Sequence, residues 1–312
     1  MGNYLNPDNS KFQRAVNSDI YVDKTGLIKY TNRVINTMQA YVCVSRPRRF
    51  GKSMAADMLT AYYSRGCDSR ELFAGLEIAK DENFGGYLNK YDTVFLNVQE
   101  FLSRSSDVKE LIARIKQRVI RELTRQYPDV ELFDSTDLAE TMQDIYTESK
   151  CPFVLIIDEW DCIFREFKND KEAQEKYLDF LRDLIKDKSY IHLAYMTGIL
   201  PIAKYSSGSE LNMFLEYTMA SEEKFNEYFG FTESEVDDLF QKYLEICATP
   251  MIIREQLRLW YDGYATKAGE RMYNPRSVVT ALSNNNIGNY WTSSGPYDEI
   301  FYYINNNVAD VK

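Results

Sequence analysis

The sequence predicts an α/β protein whose core is a parallel β-sheet, and three observations lead to this fold class. Short apolar runs rich in β-branched residues alternate with longer stretches in which apolar residues recur at helical spacing. The first run leads into Gly51-Lys52-Ser53, and a later run ends at the acidic pair Asp158-Glu159. Strands that alternate with helices are typical of sheets covered on both faces, so we expect a three-layer sandwich.

Composition narrows the class of protein further. The 312 residues suit one large α/β domain with an appendage, or two modest domains. Five cysteines without CxxC spacing and a single histidine argue against a zinc site. Free thiols favour a reducing compartment, and we find neither a signal-peptide core nor an apolar run of membrane-spanning length, so we expect a cytoplasmic protein without membrane contact. The net charge of −10 disfavours general nucleic-acid binding.

One segment organises the predicted core. An apolar strand at 41–44 is followed by a loop at 46–50 and by a helix that opens at Gly51-Lys52-Ser53. The first N–H groups of a helix have no internal partner and carry partial positive charge, so a polyphosphate binds there. Lys52 is expected to reach the β- and γ-phosphates, and Ser53 to bind Mg²⁺. This order predicts a nucleotide-binding P-loop; an ordinary strand–turn–helix is the alternative.

The loop departs from the usual GxxxxGK[ST] pattern. Arg46 occupies the position of the first glycine, so a tight turn with positive φ is not expected there. Pro47 stiffens the loop instead, and Arg48 and Arg49 add positive charge beside the phosphates. The predicted nucleotide-contacting residues are Arg46, Pro47, Arg48, Arg49, Phe50, Gly51, Lys52, Ser53 and Met54.

The flanking stretches are predicted to be a strand and three helices. Residues 26–38 form a helix that is either purely structural or packs against the adenine of the nucleotide. Residues 93–98 form a second core strand, followed by helices at 108–123 and 136–149. One flank of the first of these two helices carries Arg114, Arg118, Arg121 and Arg125. This stripe is a solvated face or, alternatively, a contact to a neighbouring subunit's nucleotide or to an acidic partner.

The strongest strand signal is the run FVLII at 153–157, which is apolar on both faces as expected of a central parallel strand. It ends at Asp158 and Glu159, where an α/β sheet places its chemistry. Asp158 is expected to support Mg²⁺ opposite Ser53, and Glu159 to act as the general base that polarises the attacking water. A solvated strand end is the alternative. Asp161 is expected to cap a helix or to contact a loop.

Two more strands complete the predicted sheet. A helix at 170–188 precedes a strand at 191–196, and a fifth strand lies at 213–219. Thr197, at the tip of the fourth strand, is a candidate catalytic sensor of the γ-phosphate; turn formation is the alternative. His192 lies within that strand and is expected to be a core or cross-strand residue.

The chain is expected to divide into a core at 1–229 and a C-terminal helical or winged-helix-like lid at 230–312. Residues 232–235 form a capping box before an amphipathic helix. A further helix is expected to open at 249–250 and run to 260, followed by a turn at 261–264 and a last helix that starts within 273–277. Arg276, at that helix start, is a candidate contact to the γ-phosphate; a salt bridge is the alternative.

Several segments together resemble the bacterial AAA-ATPase-like family, a branch of the P-loop ATPases. They are YVDKTGLI at 21–28, SRPRRFGKSM at 45–54, LIIDEWD at 155–161, MTG at 196–198, GFTESEV at 230–236 and YDGY…YNPRSVV at 261–279. RPRRFGKS is the most specific of them, because that family also lacks the first glycine of the usual phosphate loop. The resemblance spans the chain from about residue 10 to about residue 300.

The resemblance implies an additional-strand (ASCE-type) P-loop core with five parallel strands, a helical lid, and ATP with Mg²⁺ as ligands. In many members a PD-(D/E)XK nuclease-like domain follows the lid. The sequence given ends before such a domain, so we expect either that the protein continues or that it lacks the domain.

The leading interpretation is Mg²⁺-dependent ATP hydrolysis coupled to motion of the lid. The alternatives are a slowly hydrolysing nucleotide-gated switch or scaffold, and the ATPase module of a nucleic-acid-processing or defence system. We find no NKxD segment of the kind that reads guanine, and ATP rather than GTP follows mainly from the resemblance. A homo-oligomer or a protein partner stays open.

Overall fold

The computed structural model describes residues 2–202, 205, 211–219, 224–266 and 268–290. Its centre is a five-stranded sheet of β1 (Tyr41–Ser45), β2 (Asp92–Asn97), β3 (Phe153–Asp158), β4 (Ile191–Gly198) and β5 (Leu215–Thr218). The strand order is β2-β3-β4-β1-β5, and every neighbouring pair is parallel. β4 therefore lies between the strand before the phosphate loop and the strand that ends in the acidic pair, as an additional-strand P-loop core requires.

Helices account for about half of the remaining described residues. In chain order they are α1 (Ser10–Val16), α2 (Gly26–Val34), α3 (Lys52–Tyr63), α4 (Arg70–Phe73), α5 (Phe84–Tyr87), α6 (Val98–Leu102), α7 (Val108–Gln126), α8 (Leu138–Ser149), α9 (Cys162–Glu166), α10 (Lys171–Ile185), α11 (Glu233–Ile246), α12 (Arg254–Tyr261) and α13 (Pro275–Asn284). Among the described residues, no helix is both long enough and apolar enough to cross a membrane.

The sheet is covered on both faces, which makes the N-terminal part a three-layer sandwich. Alternate side chains of a strand point to opposite faces. Val42 and Ile156 accordingly belong to a core cluster shared with α1, α2 and α3, whereas Cys43 and Ile157 belong to a second cluster shared with α7, α8 and α10. Every residue of β3 is buried, as expected of a central parallel strand.

The described residues after 229 form a smaller unit with its own apolar cluster, which includes Phe231, Val236, Leu257 and Tyr273. The unit consists of α11, α12, α13 and an antiparallel hairpin of β6 (Asp262–Ala265) and β7 (Arg271–Tyr273). The capping box at Thr232 and Glu235 is present as predicted. The predicted boundary at 229/230 stays a prediction, and the aromatic tail at 291–312 lies outside the described residues.

All five sheet strands are confirmed to within two residues at their ends, whereas two C-terminal predictions are wrong. The expected turn at 261–264 is the strand β6, because its backbone pairs with β7. The helix expected to open at 249–250 begins only at Arg254. The backbone N–H of Met251 is bound by the Tyr243 hydroxyl at 3.0 Å and by Asn285 Oδ1 at 2.9 Å, which holds this segment outside a helix.

Candidate functional site

The phosphate loop joins β1 to α3 through two residues with left-handed backbone. Arg49 has φ +68°, and Gly51, the N-cap of α3, has φ +90°. A Cβ on Gly51 would meet no atom within 4 Å, so the backbone angle, rather than crowding, favours a glycine here. Gly51 has no side chain that could cap α3, and the first turn of the helix lines the cavity described below. A helix start of this kind leaves N–H groups available to a phosphate.

Lys52 connects this loop to the acidic end of β3. Its side chain is buried, and Nζ donates to the carbonyl oxygen of Pro47 at 2.9 Å. Burial lowers the pKa of Lys52, whereas the carboxylates of Glu159, Asp161 and Asp158 act in the opposite direction. The ammonium therefore lies within electrostatic range of the two acidic residues that the sequence singled out.

The side chain of Arg46 is hydrogen-bonded within the protein interior. Its side chain is fully buried. Nη1 donates to the carbonyl oxygens of Tyr217, at 2.7 Å, and of Ser45, at 3.0 Å. Nη2 donates to Asn226 Oδ1 at 3.2 Å, and the guanidinium lies 5.4 Å from the ring of Phe229. These contacts hold β5 and the segment after it, and the contact between Arg46 and the nucleotide stays a prediction.

The two following arginines are in contact with the C-terminal unit. The carbonyl oxygen of Arg48 accepts a hydrogen bond from Asn274 Nδ2 at 3.3 Å. Nη1 of Arg49 donates to the carbonyl oxygen of Tyr290 at 2.9 Å. Both arginines are half-buried, so their charge lies at the junction between the two parts of the chain.

Phe50 is fixed in the same junction. Its carbonyl oxygen accepts from the backbone N–H of Gly230 at 3.1 Å. Its ring, 1 % exposed, packs with Met219 and Met272 and lies edge-on to Tyr264 at 4.7 Å between centroids. The conformation of the phosphate loop is therefore held partly by residues that follow the predicted boundary.

Asp158 is held at the end of β3 by two neighbouring strands. It is fully buried, and its Oδ1 accepts from the Thr197 hydroxyl of β4 at 2.5 Å. Its Oδ2 accepts from Asn97 Nδ2 of β2 at 3.2 Å. Thr197 lies inside β4 rather than in a turn, so the turn alternative is wrong. Asn97 was missed, although a polar residue at the end of an apolar strand was a usable signal.

Glu159, the next residue, leaves the strand in a left-handed conformation with φ +56°. Its Oε2 is bound by Arg165 of α9. Nε of Arg165 also lies 3.3 Å from Asp161 Oδ2. Asp161 is fully buried and accepts from the backbone N–H groups of Ile199 and Leu200, at 3.1 and 2.9 Å, so it contacts a loop as expected. Arg165 was missed, because no spacing rule joins it to Glu159.

A cavity of about 1260 Å³ lies beside the P-loop and Glu159. Arg48 to Met54 and Glu159 line it, together with Tyr21, Lys24, Lys242 and Arg276. Ser53 and Met54 are exposed in the first turn of α3. Arg46, Pro47, Asp158 and Thr197 are not part of its lining; the last two are buried behind Glu159. The cavity is thus formed by the P-loop, the acidic strand end and the C-terminal unit.

α2, His192 and the arginines of α7 lie away from the acidic end of β3. α2 does not line the cavity; residues before it, including Tyr21 and Lys24, do. His192 is a half-buried residue of β4 beside Tyr91, as expected. Arg118, Arg121 and Arg125 are exposed on α7, and none of them lines this cavity.

This chain is similar to a curated protein and to solved structures. A 26 % identical relative over 280 residues is the "Uncharacterized protein in vnfD 5'region" of Azotobacter chroococcum mcd 1; the match covers 88 % of this chain and 50 % of that protein. The chain thus spans about half the length of this relative. Two solved structures of the Aeropyrum pernix ORC2 protein, as ADPNP–ADP complexes and in the ADP form, align over 96 % of this chain. They share 10 and 9 % identity, have TM-scores of 0.40 and 0.41, and are covered over 73 and 74 % of their own length.

The family evidence is stronger. Residues 10–207, more than half of the chain, match the family described as "Predicted AAA-ATPase". This match covers the P-loop, the acidic end of β3 and Thr197. The chain belongs to the AAA-ATPase-like family and has its P-loop ATPase fold.

Proposed function

We propose that this chain binds ATP with Mg²⁺ in the cavity and hydrolyses it. One observation carries the proposal: Lys52 at the start of α3 lies within electrostatic range of Asp158 and Glu159, and the P-loop and Glu159 line one cavity. A buried lysine at the start of a helix after a glycine is where a P-loop places the cation that contacts phosphate, and the helix start itself favours an anion.

Phosphate binding would rest on α3 and the loop before it. The uncapped N–H groups of the first turn of α3 and the Lys52 ammonium would bind the β- and γ-phosphates. Arg48 and Arg49 would add positive charge from the junction. ATP rather than GTP is proposed because the family is described as an ATPase.

The donor set suits Mg²⁺, which prefers hard oxygen ligands. The Ser53 hydroxyl is exposed in the first turn of α3, and Asp158 is oriented by Thr197 and Asn97. Ser53 would bind the cation directly, and Asp158, which is buried and outside the cavity lining, would support it through water. The bound cation would neutralise charge on the β- and γ-phosphate oxygens.

Glu159 would serve as the general base. It would accept a proton from the attacking water as the water oxygen bonds to the γ-phosphorus and the bond to the β-phosphate oxygen breaks, which yields ADP and phosphate. Thr197 donates to Asp158 and would orient this carboxylate; as a γ-phosphate sensor it would act through Asp158, since its single hydroxyl hydrogen is used there. Lys52 would stabilise the charge that develops on the phosphate oxygens.

Hydrolysis would be coupled to motion of the C-terminal unit. Asn274, Tyr290 and Gly230 bind the loop directly, and Arg276 is an exposed side chain on the cavity wall. A change in the P-loop on nucleotide turnover would therefore be transmitted to this lid. The five free cysteines support a reducing, cytoplasmic location.

Nucleotide titration followed by a turnover assay tests the proposal. ATP and GTP are titrated with and without Mg²⁺, and phosphate release is then measured. Lys52→Ala should abolish binding, whereas Lys29→Ala, which removes a surface lysine paired with Glu77, should not. Undiminished ATP affinity in folded Lys52→Ala protein would remove the site.

A second pair of variants tests the chemical step. Glu159→Gln should keep ATP affinity and stop turnover, because an amide cannot take the proton from water. Glu166→Gln changes an exposed glutamate of α9 and serves as the control. Unchanged kcat in Glu159→Gln would mean that another group is the base.

One observation favours a second function, a slowly hydrolysing nucleotide-gated switch. The loop that holds Lys52 is bonded to Asn274 and Gly230 of the C-terminal unit, so binding of nucleotide to the loop would by itself act on that unit without turnover. Turnover measured alone and with candidate protein partners separates the two functions. A rate that stays slow in every case, with tight ATP binding, would favour the switch.

A further inference from the structure

We infer that Arg165 is the positioning residue of the catalytic base: it orients Glu159 and connects this residue to the loop after β4. The inference rests on the proposed function, since it assigns Glu159 the role of general base. α9 would then do more than pack against the core, because it carries the side chain that holds the catalytic base in place.

The two carboxylate oxygens of Glu159 differ in their contacts. Arg165 binds Oε2, whereas no described residue donates to Oε1. The side chain is 24 % exposed, against 8 % for Arg165, and it lines the cavity. One oxygen is therefore held by the protein while the other is left to accept a proton from water. This is the division of labour that a positioned general base needs.

Arg165 suits this task because its own position is fixed from the other side. Its Nε lies 3.3 Å from Oδ2 of Asp161, which is fully buried. A guanidinium presents several donors in a rigid plane, so it can hold two carboxylates at once. A lysine at position 165 would present a single flexible ammonium and would hold the two carboxylates less firmly than the arginine does.

Asp161 in turn ties this pair to β4. Its Oδ2 accepts from the backbone N–H groups of Ile199 and Leu200. These residues follow Thr197 by two and three positions, and Thr197 donates to Asp158. The base is thus joined by ion pairs and hydrogen bonds to the residues that directly follow β4, two positions along the backbone from Thr197.

If Arg165 only held α9 in place, its ion pair with Asp161 would suffice and the contact with Glu159 would not be needed. Glu159 itself adopts φ +56°, an uncommon conformation for a residue with a side chain. That conformation directs the chain into the turn that brings Arg165 back to the carboxylate six positions earlier. The contact therefore restrains a residue whose backbone is already unusual, which is the behaviour expected of a functional position.

The test is a set of four variants assayed for ATP affinity, kcat and the pH dependence of kcat. Arg165→Ala should lower kcat by about 100-fold, the loss typical of a misplaced catalytic group, with ATP Kd unchanged. Arg165→Lys should recover part of the rate. In the Glu159→Gln background, where turnover has already stopped, Arg165→Ala should leave ATP Kd unchanged, because the residue acts on kcat through Glu159 and not on binding. Arg104→Ala, which removes the exposed pair with Glu100, is the matched control.

The outcomes separate this inference from the proposed function. Absence of turnover in the unmodified protein would overturn both. Normal turnover with kcat and its pH profile unchanged in Arg165→Ala would overturn the inference alone. If Arg165→Ala fails to fold, because Asp161 loses its partner, Arg165→Lys decides: unchanged kcat overturns the inference, and a several-fold lower kcat at unchanged Kd supports it.

Discussion

Asp57 provides a prediction whose magnitude follows from the structure. It lies on α3, four residues after Ser53, with its side chain 24 % exposed. Burial raises its pKa from the ordinary value of 3.8 to about 6; nearby Asp158 adds to the rise, and Lys11, whose Nζ is 3.9 Å away, opposes it. At 1.36 kcal/mol per pKa unit, the penalty for ionising Asp57 in the folded protein is at most about 3 kcal/mol.

The sign follows from proton linkage. Between about pH 4 and pH 6 the folded protein holds more protons than the unfolded chain, so the free energy of unfolding falls as pH rises through this window. The contribution of Asp57 to stability is fully present below its unfolded pKa and is lost above about pH 7. Asp57→Asn removes the ionisation and should therefore be the more stable protein at pH 7.5 by up to about 3 kcal/mol.

Urea unfolding of the unmodified protein and of Asp57→Asn, followed at pH 4.5, 6 and 7.5, measures the effect. The difference in the free energy of unfolding should grow with pH and level off above pH 7. Asp238→Asn, an exposed aspartate on α11, is the control and should show no such trend. An equal difference at all three values of pH, or a less stable Asp57→Asn at pH 7.5, would refute the reasoning.

Three further predictions concern the site. Thr197→Ala should lower kcat more than ATP affinity, because it removes the donor to buried Asp158; equal losses in the two quantities would indicate a structural role. Gly198→Ala should lower the free energy of unfolding by about 1–3 kcal/mol, since its Cβ would lie 2.5 Å from Nε1 of buried Trp160; an unchanged melting temperature would contradict this. Arg276→Ala should lower turnover about tenfold while stability changes by less than about 0.5 kcal/mol, because the side chain is exposed on the cavity wall; unchanged kcat and Kd would leave Arg276 a surface residue.

The sheet was predictable because its strands carry the signal themselves. β3 is apolar at consecutive positions, and such a run has few alternatives to a central parallel strand. The acidic pair after it and the glycine–lysine–serine after β1 then followed from where parallel strands end. Local sequence was less informative at 261–264, because a short hairpin depends on a partner strand that follows several residues later.

The contacts that fix the site were harder to predict. Arg46 is held by Tyr217 and Asn226, more than 150 positions away, and counting along a motif cannot reveal such partners. Arg165 reaches Glu159 across a turn in which Glu159 has positive φ, and spacing alone does not reveal such a turn. Residue type and spacing thus predict which elements form, whereas side-chain pairing across turns requires the folded chain.

The packing of the Phe50 ring limits where the chain can be cut into fragments. Burying a phenylalanine ring contributes about 1.5–3 kcal/mol, and this ring belongs to the P-loop while its neighbours Tyr264 and Met272 belong to the hairpin. A fragment that stops at 229 would expose this aromatic face to water and lose the N–H of Gly230 that fixes the loop carbonyl. The conformation of the P-loop therefore depends on residues from both parts of the chain, so neither part alone would be expected to keep it.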